Sequence, residues 1–145
     1  MTYLEKSNLL MLGAMAGVYG VYGALVFGAP LASGAGIDSA TGLLMSNSLM
    51  IAAVVALVAI AIFGHIAIAL LNPKEANCQD ERDALIEMRG DQRGGFVMAV
   101  FAVSAMGLAM IATAHFWIVN VILAGLVLGE IVKAVSKLID YRRGL

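Results

Sequence analysis

Four long apolar runs separated by polar punctuation dominate the chain, at about residues 9–27, 49–71, 96–114 and 117–138. The first holds about 19 residues, or about 28 Å as a helix, close to the thickness of a bilayer's hydrocarbon core. A surface helix of a soluble domain would repeat its apolar positions every three or four residues, whereas these runs are apolar all round and predict membrane spans. A signal peptide is the competing reading of the first run, but its apolar region exceeds the 7–15 residues expected of one. Asn72–Pro73 stops the second run, since the residue before proline is pushed out of helical geometry. Gly28 to Ser48, rich in Gly, Ala and Ser and carrying Pro30 and the single charge Asp38, reads as a loop with at most one short interfacial turn. Only His115, Phe116 and Trp117 are left to turn the chain between the last two runs, so these are expected as an antiparallel hairpin with Trp117 at the interface.

The polar stretch from about 79 to 93 breaks this pattern. On a helical wheel Asp80, Asp83, Glu87 and Asp91 share one side, Arg82, Arg89 and Arg93 take the opposite side, and Ala84, Leu85 and Met88 lie between. It is expected as an amphipathic juxtamembrane helix, with Gly94–Gly95 as a flexible joint to the third span. Its charges can simply face water and lipid headgroups, or its separated stripes can dock a charged partner, with the arginines orienting the helix on anionic lipid.

Composition agrees with a polytopic all-α membrane protein, a four-helix bundle: 61% of residues are hydrophobic and 13% charged, with mean hydropathy +0.93. All nine lysines and arginines (Lys6, Lys74, Arg82, Arg89, Arg93, Lys133, Lys137, Arg142 and Arg143) fall on one face of a four-span topology. The positive-inside rule then places both termini and the charged helix in the cytoplasm, the membrane being a prokaryotic inner membrane. A net charge of −1 offers no basic stripe for direct nucleic-acid binding. The lone Cys78 excludes an intrachain disulfide or a CxxC redox pair.

Four residues carry candidate chemistry within or at the ends of the spans. Glu130 falls about 11 Å from the inner end of the fourth run, where ionisation without a partner costs a few kcal/mol, so it suggests a proton-coupled small transporter or, more simply, a pair with Lys133 one turn on. Asn120 reads as a hydrogen-bonding tie between helices. His65 and His115 invite haem ligation, but lie at opposite depths, so no cofactor or metal is expected, and no nucleophile or phosphate-binding motif points to an enzyme. Weak cation binding at Asp80, Asp83 and Glu87 is the remaining metal reading. Gly13/Gly17 and Gly125/Gly129 are GxxxG pairs that let backbones approach closely, so a homodimer or larger assembly is expected.

DERDALIEMRGDQRGG before the third run and FWIVNVILAGLVLGEIVKAVSKLIDYRRG at the end resemble a family of small prokaryotic four-span membrane proteins of unknown function. The similarity covers mainly residues 80–144, at Asp80, Glu81, Arg82, Asp83, Ile86, Arg89, Trp117, Asn120, Glu130, Arg142 and Arg143. The resemblance implies no reaction. It implies a partner, since such proteins are often encoded beside a small helix-turn-helix regulator whose basic surface an acidic stripe could hold. The expectation is thus a non-enzymatic membrane regulator or sensor. A transporter using Glu130 or an accessory subunit of a larger complex are the alternatives.

Overall fold

The computed structural model describes residues 3–28, 40–71 and 81–143. Asp80, Cys78, Lys74, Asn72–Pro73 and loop residues 29–39 lie outside the described residues, as does the side chain of His65. Four helices, α1 (Tyr3–Gly23), α2 (Ala40–Leu71), α3 (Glu81–Met110) and α4 (His115–Arg143), follow in order, and α1 is prolonged by a wide π-helical turn at Ala24–Gly28. Among the described residues there is no strand.

Among the described residues four helices are long and apolar enough to cross a membrane, over Ser7–Gly28, Leu44–Gly64, Glu81–Met110 and His115–Arg143, the length and composition of a multi-pass membrane protein. The surface agrees. Phe63, Phe96 and Met110 are 71%, 72% and 86% exposed, a distribution that lipid covers at no cost and that water would penalise.

α3 and α4 form the most extensive pair, and α1 packs on both α4 and α2, giving the spatial order α3, α4, α1, α2. At the end holding the α3/α4 turn, Tyr22, Val26, Ala53, Phe116 and Leu123 form the apolar core. Phe27 closes it, its ring edge-on to Phe116 at 5.8 Å, an arrangement aromatic quadrupoles favour.

Three expectations about boundaries are corrected. α2 begins at Ala40, so residues 40–48 are helical rather than loop. Leu43, Leu44 and Met45 are good helix formers, and Ser46 is buried beside Tyr22, so packing outweighs the local loop signal. The hairpin turn comes earlier than His115–Trp117, at 111–114. There Ala112 takes φ 55°, with Thr113 N–H donating to Leu108 O at 3.1 Å and Ala112 N–H to Ala109 O at 3.1 Å. This is a Schellman stop, built on alanine where glycine is usual.

The third correction positions the site. The charged segment and the third apolar run are one helix of 30 residues, and Gly94–Gly95 is no joint. Each glycine costs a helix interior about 1 kcal/mol relative to alanine. Gly94 is there because its backbone crosses that of Gly129: a Cβ built on Gly94 would sit 2.6 Å from the Gly129 carbonyl oxygen, and one on Gly129 would sit 3.0 Å from the Gly94 carbonyl oxygen. A Cβ on Gly125 would likewise collide with the Phe101 side chain. The glycines let two helices touch along their backbones, which recovers dispersion energy over the whole seam.

Candidate functional site, the charged α3/α4 hairpin

Antiparallel packing in register at Gly94 and Gly129 sets Glu87 and Asp91, one turn apart on α3, opposite Lys133 and Lys137, one turn apart on α4. The Lys137 ammonium donates to Glu87 Oε1 at 3.1 Å and lies 3.3 Å from Asp91 Oδ1. Lys133 reaches the same Asp91 oxygen at 3.1 Å and Glu130 Oε2 at 3.8 Å. Two cations and three carboxylates thus alternate as a ladder between the helices. On the other flank, Arg93 Nη1 donates to Asp140 Oδ2 at 3.1 Å.

The ladder depends on Gly90. The Lys137 side chain is only 5% exposed because its stem lies flat on α3 where Gly90 has no side chain. A Cβ there would fall 2.7 Å from Lys137 Cγ and 2.8 Å from Cε. Burying the stem while the ammonium meets two carboxylates satisfies both halves of an amphipathic side chain. Asp140, also buried, is paired with Arg93, as a buried carboxylate requires. Asp91 lies before the apolar run that begins at Phe96. Partial burial acts to raise its pKa, but hydrogen bonds from Lys133 and Lys137 outweigh that, and its carboxyl titrates below the ordinary carboxylate range.

The acidic stripe read from the wheel is therefore turned partly inward. Glu87 and Asp91 face α4, with side chains still 43% and 57% exposed. Asp83 is half-buried, and Arg82 and Asp83 are both engaged in interactions. The basic stripe divides: Arg93 crosses to Asp140 while Arg89 points to solvent. Asp80 lies outside the described residues. Sequence reasoning missed Gly90 and Lys137, although the matching four-residue spacings 87/91 and 133/137 were the available signal.

The other candidates fall elsewhere. Glu130 is 48% exposed and sits level with Gly94, at the start of the charged layer, rather than deep in an apolar run. Asn120 accepts from the Tyr22 hydroxyl at 2.8 Å and donates to Phe116 O at 2.8 Å, and Ser46 also bonds that hydroxyl, which joins α1, α2 and α4 at the turn end. His115 is exposed at the same end, while His65 belongs to α2. Among the described residues no three His, Cys, Asp or Glu side chains converge as a metal site would need. Comparison with family models, with curated proteins and with solved structures finds no match for this chain.

Proposed function

We propose that the chain is a non-enzymatic regulator or sensor of a prokaryotic inner membrane, with both termini cytoplasmic, whose charged hairpin docks a cytoplasmic protein carrying a basic surface. The reading rests on one observation above all: α3 passes without a break from its apolar run into a charged segment that ion pairs lock onto α4. A segment meant only to stay wet needs neither a fixed register nor a glycine-bedded lysine. A docking surface needs both, because holding carboxylates in place before the partner arrives lowers the cost of association. Orientation follows from the positive-inside rule, with every lysine and arginine at one face. The partner that best fits is a small helix-turn-helix regulator, whose DNA-facing cations would meet the exposed edges of Asp83, Glu87 and Asp91. The unit is read as a homodimer or larger assembly.

Proton-coupled transport through Glu130 is the weaker reading. A coupling carboxylate works by being desolvated and without a fixed cation, whereas Glu130 is half-exposed and beside Lys133.

The test separates docking from folding. Glu87→Lys with Asp91→Lys breaks the ladder; adding Lys133→Glu and Lys137→Glu restores it with reversed polarity. In native mass spectrometry of gently released membranes, wild type is expected to retain a regulator-sized basic protein and both variants to lose it. Retention by the polarity-swapped variant, or no protein partner on wild type, overturns the reading.

A further inference from the structure

α2 and α4 flank a groove that is lined by none of the ladder residues Glu87, Asp91, Glu130, Lys133 and Lys137. Two clefts share Met50, Ile51 and Val119 and so form one channel. Its mouth, about 390 Å³, is lined by Asn47, His115 and Phe116 at the turn end. Its trough, about 340 Å³, continues between Val54 and Val55 on one wall and Ile122 and Leu126 on the other. From His115 to Leu126 it runs about 16 Å along α4.

Two properties identify the occupant. Polarity is graded, with an amide and an imidazole at the mouth and only apolar side chains beyond, and among the described residues no charged side chain lines any part. That is the profile of an amphiphile, whose ester and phosphate oxygens can accept hydrogen bonds from Asn47 and His115 while its chain lies in the trough. The walls also lack glycine and alanine. Where two helix backbones touch, at Gly94 and Gly129, both sides are glycine. A trough walled by branched side chains and Met50 keeps a helix backbone out and admits a thinner, flexible chain.

We propose that the α2/α4 groove binds one membrane phospholipid, its acyl chain along Met50 to Leu126 and its headgroup at Asn47 and His115. The headgroup end lies at the α3/α4 turn, away from the charged ladder, and the proposal stands independently of the docking reading.

The probe is phosphatidylglycerol carrying a diazirine in its acyl chain, incorporated with phosphatidylethanolamine into vesicles holding the full chain, irradiated, and mapped by peptide mass spectrometry. Labelling of the groove walls is expected to exceed that of Val100 and Val103, exposed on α3, about tenfold, the ratio expected of a site about tenfold tighter than the lipid annulus. Val119→Trp, and independently Val54→Phe from the other wall, should bring groove labelling down to the α3 level. Asn47→Ala with His115→Ala should lower it by a smaller factor. Equal labelling of groove and α3 face in wild type means bulk lipid only and overturns the proposal. So does an intact-mass dimer that Val119→Trp makes monomeric, which would assign the groove to a second copy.

Discussion

The protein uses the same four-residue glycine spacing in two places with opposite outcomes. On α3 and α4, Gly90, Gly94 and Gly125 are each in contact too tight for a Cβ and Gly129 is at the edge of that range; on α1, Gly13, Gly17, Gly20 and Gly23 have nothing within 4 Å of where a Cβ would stand. The difference lies in what faces them. Gly94 meets Gly129 in register, and the Glu87, Asp91, Lys133 and Lys137 ladder fixes that register. α1 meets α2 across a cleft of about 540 Å³ lined by Gly13 and Gly17 on one side and Ala52 and Ala56 on the other. Small residues permit a close approach, and polar groups in matching positions make it happen.

The most damaging way to break this comparison is to fill both stripes. Gly94→Leu or Gly129→Leu is expected to destabilise the protein by about 3 kcal/mol or more, because neither backbone can give way, while Gly13→Leu or Gly17→Leu should stay within about 0.5 kcal/mol. Equilibrium unfolding in detergent measures both, and equal losses would erase the distinction. A smaller effect sharpens the account of the ladder. Lys137→Met should cost about 1–2 kcal/mol, discounted from a fully buried pair because Glu87 and Asp91 are half-exposed. Gly90→Ala should cost a similar amount through its clash with the Lys137 stem. In a cycle of Gly90→Ala, Lys137→Ala and the two combined, the single losses should not add, and simple additivity would show that Gly90 has no part in seating the lysine.

Acid probes the same ladder more gently. Asp91 titrates below its unfolded value, so its contribution is complete above the ordinary carboxylate pKa of about 4 and is lost as pH falls through the lower folded value. Thermal stability should therefore hold from neutrality to about pH 4 and decline below it, with a shallower decline in Asp91→Asn. The smallest expected effect comes from a glycine the protein lacks. Ala112→Gly should stabilise the hairpin by up to about 1 kcal/mol by relieving the left-handed backbone, and Ala112→Val should do the reverse.

The apolar runs made the helices legible, since runs of about 20 apolar residues carry that information locally, and the short connection gave the α3/α4 hairpin. The continuity of α3 was not legible. Gly94–Gly95 has the local signature of a joint, and only Gly129, some 35 positions away, gives Gly94 its reason to be helical. Residues 40–48 misled for a related cause, because the burial of Ser46 beside Tyr22 is a tertiary fact. The acidic stripe was readable on a wheel. Which half of it α4 would neutralise was not, because a wheel carries one helix's periodicity and no register with another.

An unbroken α3 is a stiff rod about 45 Å long. Stiffness turns small angles into distances. A tilt of about 5° at the turn end carries the far end sideways by about 4 Å, on the order of a side-chain width. Leverage of this kind needs no unfolding, no hinge and no sliding of one helix along another, and a two-residue swivel at Gly94–Gly95 would have dissipated it.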